Sequence, residues 1–285
     1  MTLPPPWPEA PEPLPSPVVD NHCHLDHRIQ GGLLIPLDEA LDRAAAVGVT
    51  RIVQVGCDLP SSRWAVRTAT EQPSVVAAVA MHPNDAARSA TLDDDLAEID
   101  RLAADPSVRA VGETGLDFFR TGADGRPAQE RSFRAHIAIA KRHDRTLVIH
   151  DRDAHEDVLR VLDDEGMPDR VVMHCFSGDA EFARACVARG AYVSFAGTVT
   201  FKNAEYLREA LRITPLDRVL VETDAPFLTP TPHRGRPNAS YLVPHTVRAM
   251  AQVLAMDVAD LCRAIDENTD RAFGGHWPQR AASVT

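Results

Sequence analysis

Residues 18–26 read VVDNHCHLD. Two valines lead straight into a polar cluster that holds two histidines one residue apart. Side chains alternate along an extended chain, so positions i and i+2 share a side. His22 and His24 therefore point one way, and Cys23 points the other way, into packing. The same device recurs along the chain: a short run of Val, Ile and Ala that stops abruptly at polar residues. It is found at 51–55, 75–80, 108–112, 147–149, 171–173, 191–195 and 219–221, which with 18–20 makes eight runs. Short unbroken apolar runs suit parallel strands covered on both faces.

Helical patterns fill the gaps. Leu37, Leu41 and Ala45 share a face before Gly48; Val158, Leu159 and Leu162 do so before Gly166, and Phe182 and Cys186 before Gly190. Apolar positions three or four apart, closed by a glycine, mark a helix and its C-cap. The alternation predicts an α/β protein with a single (β/α)8 TIM-type barrel and a metal site at the C-terminal strand ends. A doubly wound open sheet is the alternative, but no Gly-rich loop follows the first run. Residues 1–17 are dominated by proline, which predicts an extended arm or cap and not a packed element. The barrel is expected over 18–274, and 275–285 reads as a frayed C-terminal tail.

The 285 residues are 44% hydrophobic, enough for a large core. The formal charge is -11, from 41 acidic and 30 basic residues. That balance disfavours non-specific adsorption to nucleic acid or anionic membranes, so an anionic substrate needs locally supplied positive charge. Five cysteines, an odd number with no CxxC spacing, read as reduced thiols and not as a disulfide framework or zinc knuckle. With no basic-then-apolar leader pattern, we expect a cytoplasmic protein. No run of about 18 apolar residues suggests a membrane span, and no obligatory protein partner is expected.

The residues after each run carry the chemistry. They are His22 and His24 after the first, His82 after the third, and Glu113 and Asp117 after the fourth. The fifth gives His150, Asp151, Arg152 and Asp153, the sixth His174, and the eighth Glu222 and Asp224. In a barrel these ends surround one mouth. Taken singly, each histidine reads as structural, and His82 as a hydrogen-bonded turn residue. Five of the 12 histidines at strand ends read differently: imidazoles with carboxylates suit a divalent metal. His22, His24, Glu113, His150, His174 and Asp224 make six candidate ligands. One tetrahedral ion needs about four, so six fit two ions, with Glu113 best placed to bridge. Two carboxylates against two divalent cations leave the mouth net positive. Asp117 and Asp153 read as supporting partners or helix caps, and Cys57 and Cys175 as small buried hydrophobes. The run DDDLAEID, residues 93–100, reads as a solvated helix face. His233, Arg234 and Arg236 follow the eighth run, where barrels bind phosphate. Arg152 sits two residues past a candidate ligand.

Taken in order, NHCHLD, MHPND, VGETGLDFF, IHDRDA, HCFSG, VSFAGTVTFKN, LVETDAPFLTPTPHRGRPN and DENTDRAF resemble the blocks of the TatD family of metal-dependent hydrolases. The resemblance runs from Val18 to Phe273, with mild departures in AMHP and DENTDRAF and with residues 1–17 outside it. It implies an amidohydrolase-like barrel whose metal ligands are the same six residues, holding two divalent ions (Mg, Mn or Zn). It also implies hydrolysis of nucleic acid phosphodiesters, as a 3′–5′ exodeoxyribonuclease. In that chemistry Asp224 takes the proton of the attacking water, Glu113 bridges, and Arg152, His233, Arg234 and His82 face the phosphate. With no basic stripe and only 5% aromatics, DNA ends and short single strands are the expected substrates. The rival readings are a metal-dependent esterase or deacylase, for example on D-aminoacyl-tRNA, a small-molecule amidohydrolase on the same site, or a metal-holding binding module.

Overall fold

Runs without polar alternation have no solvent face, so each strand must lie between two packed layers. The computed structural model describes residues 7–28 and 34–282 and realises all eight runs as strands. They are β1 (Val18–Cys23), β2 (Val49–Val55), β3 (Val75–Val79), β4 (Val108–Asp117), β5 (Thr146–Arg152), β6 (Val171–Met173), β7 (Tyr192–Phe195) and β8 (Val219–Val221). Each pairs in parallel with the next in one sheet of order β1 to β8. The helices that cover it are α1 (Leu37–Ala46), α2 (Leu59–Glu71), α3 (Pro83–Ala86), α4 (Leu92–Ala103) and α5 (Arg126–Arg142). They continue with α6 (His155–Glu165), α7 (Ala180–Ala188), α8 (Glu205–Ile213), α9 (Val243–Leu254) and α10 (Val258–Ala272). The expected (β/α)8 barrel is therefore the fold. Asp58, Asp179 and Asp257 cap α2, α7 and α10 by accepting backbone N–H bonds, which fixes where those helices begin. No helix among the described residues is long and apolar enough to cross a membrane.

The barrel closes between β1 and β8 largely through side chains. Asn21 Nδ2 donates to the Val221 carbonyl (2.5 Å) and to Ser194 Oγ (2.8 Å). Asp20 accepts from the Thr223 amide (2.8 Å) and hydroxyl (2.6 Å). Above them the Asp224 amide donates to the His22 carbonyl (2.9 Å), and the His24 amide to the Ala225 carbonyl (2.8 Å).

The core has two layers. Val19, Val53, Val55, Val76, Val148, Val172 and Leu220 fill the barrel interior, while Val18, Cys23, Ile52, Leu147 and Val221 pack outward against the helices. This is the period-two alternation of a strand with both faces buried. Phe273 and Trp277 seal the interior from below.

Both termini correct the sequence reading. The arm is extended, as proline requires, but it is packed: Leu14 is buried and its amide donates to the Val47 carbonyl (3.0 Å). The segment expected to fray is docked as far as Arg280. Trp277 is 3% exposed, its Nε1–H donates to the Ser74 carbonyl (3.1 Å), and the Arg280 amide donates to Thr50 (2.9 Å). An eleven-residue ending with no periodicity left only its tryptophan as a signal.

Under the interior lies a buried cation. The Arg51 side chain is fully enclosed; Nη1 donates to Asp270 (2.5 Å), Nη2 to Asp266 (2.6 Å), and the guanidinium lies 4.6 Å from the Trp277 ring centre. Removing one partner of such an arrangement leaves charge uncompensated in a poorly solvated place. Arg51→Ala is expected to lower unfolding free energy by about 3–5 kcal/mol, read as a shifted midpoint in urea with the metal-loaded protein.

Candidate metal centre

The polar residues that end the apolar runs stay in the ladder, because at the barrel mouth their side chains turn inward, away from the helices. β1 carries His22, with His24 just past its end, β4 carries Glu113 and β5 carries His150, while His174 follows β6 directly and His82 and Asp224 lie three residues past the ends of β3 and β8. Gly115 sets the spacing of β4 and β5. Its φ is +133°, and a Cβ there would stand 2.1 Å from the His150 carbonyl oxygen. Only glycine permits that approach.

Glu113 is the hub. Its Oε2 faces His22 Nε2 (3.5 Å) and His24 Nε2 (3.9 Å); these two nitrogens lie 3.9 and 3.5 Å from Asp224 Oδ1. Its Oε1 faces His150 Nδ1 (2.6 Å), His174 Nε2 (2.9 Å) and His82 Nε2 (3.5 Å). One carboxylate thus serves two separate sets of donors. All six residues expected as ligands meet here.

Several ring nitrogens have their roles fixed by second partners. His24 Nδ1–H donates to the Val55 carbonyl (3.0 Å), and His174 Nδ1–H to Glu222 Oε1 (2.9 Å). Both rings thus aim Nε2 at the cluster, and in the neutral form Nε2 carries the lone pair that metal ligation needs. His82 is the reverse: its Nδ1 accepts the Asn84 amide (3.1 Å), so the neutral ring carries its proton on Nε2 and is a donor towards the centre. His150 lies between Glu113 and Asp117 Oδ2 (3.4 Å).

The site accommodates cations on its own chemistry. Both ring nitrogens of His22, Nε2 of His150 and Oε2 of Glu222 are buried without a hydrogen-bond partner. Orphaned atoms of this kind are rare and demand an explanation, and here they fall on two candidate ligands and on the carboxylate behind His174. His22, His24 and Glu113 are close enough to share one ion, as are His82, Glu113 and His150, and His22, His174 and Glu222. The proton on His82 Nε2 argues against that residue as a ligand.

The electrostatics agree. Burial works against the Glu113 carboxylate, but the His174 and His82 charges and hydrogen bonds from His150 and His174 hold it well below the usual range. Burial also opposes the Asp224 carboxylate, and the bond to His24 overrides it, so Asp224 is ionised too. Burial and the neighbouring His174 lower His22, leaving a neutral imidazole. His150, lowered by burial and raised by Asp117 and Glu113, ends up at about 9.

The residues expected to face phosphate have other neighbours. Arg152 lies 4.0 Å from the Phe119 ring centre, and Arg234 lies 3.5 Å from that of Phe201. His233 meets His245 edge-on at 5.1 Å. Arg126 over Phe118 adds a third arginine–aromatic pair, and Phe119 and Phe227 are exposed by 62% and 47%. The rim thus holds more aromatic surface than 5% composition suggested. The available signal was position: FF and PF come within seven residues of the ends of the fourth and eighth runs.

Three further residues escaped the sequence reading. Cys57, expected to be a buried hydrophobe, is half-buried, with Sγ 3.8 Å from His24 Nδ1 and 3.9 Å from Glu113 Oε2. Asp20 lies fully buried beneath the site, and burial pushes its carboxyl up to about 6. Glu222 is buried and orients His174. Replacing the carboxylate behind a ligating histidine weakens metal binding by about 10–100-fold. Glu222→Gln, which keeps the shape and removes the charge, should show that loss in chelator competition.

Comparison with known proteins places this geometry. A family model described as TatD related DNase matches residues 19–274. A metal-dependent hydrolase TatD of Mycobacterium tuberculosis is 46% identical over 264 residues, covering 91% of this chain and 99% of the relative. A 3'-5' ssDNA/RNA exonuclease TatD of Escherichia fergusonii is 37% identical over 246 residues, covering 83% and 92%. The crystal structure of YJJV, a TatD homolog from Escherichia coli, superposes with a TM-score of 0.84 at 26% identity, covering 91% of this chain and 98% of the other.

Proposed function

The chain belongs to the family of TatD-related DNases, metal-dependent hydrolases, and from that premise we propose that it removes nucleotides from the 3′ ends of single-stranded DNA with two divalent ions. The observation that carries the reading is the division of Glu113, with Oε2 towards His22, His24 and Asp224 and Oε1 towards His150 and His174. The exonuclease named among the relatives supports the substrate.

When bound, such ions polarise a phosphoryl oxygen and acidify water. His22, His24, Asp224 and Glu113 would hold one of them, and His150, His174 and Glu113 would hold the other. Four imidazoles suit manganese or zinc better than magnesium. Asp224, ionised and at the edge of the cluster, accepts the proton of the attacking water. His82 offers Nε2–H to the phosphate, and Arg152 adds a charge-assisted bond from the rim. Glu222 and Asp117 keep their histidines aimed. Residues 18–274 form the catalytic barrel.

The test is a 3′-labelled single-stranded oligonucleotide incubated with chelated protein and then with Mg, Mn or Zn, beside D-aminoacyl-tRNA. Loss of the label as single nucleotides, restored by metal at about two ions per chain, is the expected result. Loaded protein that leaves the DNA intact and deacylates the tRNA would overturn the reading in favour of an esterase.

A further inference from the structure

Residues 7–17 lie outside the family match, yet they are built onto the catalytic rim. The buried Tyr241 hydroxyl donates to the Pro8 carbonyl (2.7 Å). Arg248 Nη2 donates to the carbonyls of Glu12 (2.7 Å) and Pro13 (3.1 Å), and Arg236 Nη2 to that of Trp7 (3.0 Å). All three donors come from α9 or from the segment joining it to β8, the stretch that also begins with Asp224. A proline-rich strand suits this role: it stays extended and presents carbonyls with few competing N–H groups.

The docking leaves the half-buried Trp7 side chain on the wall of a cleft. Its other walls include Leu25, Ile35, Ala225, Pro226 and the imidazole of His24. His24 is therefore shared: its Nε2 faces Glu113 and Asp224, while its ring borders the cleft. Phe227, three residues past Asp224, stands beside it with its ring 6.3 Å from His24 and 5.1 Å from His27. The cleft holds only about 40 Å³, too small to engulf a base, so a base can meet Trp7 only at the cleft mouth. A protein of charge -11 needs such a non-ionic hold on a nucleic acid end.

We propose that Trp7, on the wall of the cleft that His24 borders, is a stacking platform for the terminal nucleobases of the substrate, so that the proline-rich arm sets substrate preference. The proposal rests on the nuclease reading above. Stacking of a base on an aromatic side chain is worth about 1–3 kcal/mol, or roughly 5- to 150-fold in affinity.

The experiment uses the full metal-loaded chain and a short oligonucleotide, with and without bases on its last two nucleotides. Trp7→Ala should raise KM for the base-bearing end by roughly 5–50-fold. Wild type should lose a similar factor when the bases are removed, and the two losses should not add. Trp7→Phe should recover most of the loss. A Trp7→Ala penalty that persists in full on the abasic end, or no penalty at all, overturns the proposal.

A second readout needs no turnover: trinucleotide titrated into chelated protein should quench tryptophan fluorescence, and Trp7→Phe should remove that quenching. Absence of quenching in wild type also overturns the platform. Quenching without any metal-restored cleavage would instead leave the platform standing and sink the nuclease reading.

Discussion

Glu113→Gln is expected to abolish metal-restored hydrolysis while leaving the barrel folded. The glutamine fits the same buried space on β4, but it offers one neutral carbonyl oxygen where two charged oxygens faced two donor sets. Metal content should fall below one ion per chain. A lost Lewis acid removes several kcal/mol of transition-state stabilisation, and each 1.36 kcal/mol is tenfold. The rate should drop by roughly a thousandfold or more. Elemental analysis and a 3′-label assay on the same sample decide the matter. A variant that keeps both ions and its rate would end the bridging role.

Asp224→Asn tests a different property. Asp224 has φ +56°, a left-handed conformation that asparagine adopts about as readily as aspartate. The backbone turn and an oxygen towards the cluster are therefore retained, and the proton acceptor is lost. General-base loss is worth about 10²–10⁴-fold, expected here in kcat measured at saturating metal, with KM near wild type. The acid limb of the pH–rate profile should vanish with it. A rate within about threefold of wild type would return the binding-module reading to the front.

How much of this was legible beforehand follows from the kind of interaction involved. The eight apolar runs became the eight strands because burial on both faces is a local compositional demand. Strand ends were less legible. β4 was expected over 108–112 and runs to Asp117, because Glu113, Thr114 and Leu116 keep pairing where polar side chains can turn into the mouth. The six residues expected as ligands converge because parallel topology carries every strand's C-terminal end to one rim. The environments of Glu222 and Arg51 were hidden. A carboxylate at a strand end looks alike whether it faces the centre or stands behind His174, and Arg51 interrupts an apolar run whose partners lie 215 and 219 residues away. Nor could spacing show that the arm returns to α9.

The seam between β1 and β8 has a thermodynamic corollary. Its uppermost hydrogen bonds, from the Asp224 amide to His22 and from the His24 amide to Ala225, involve His22, His24 and Asp224, whose side chains face one another at the centre. The cylinder is therefore fastened and the centre assembled by one set of contacts, so ion uptake and closure are linked equilibria. Ion affinity measured on this chain includes the work of drawing its first and last staves together.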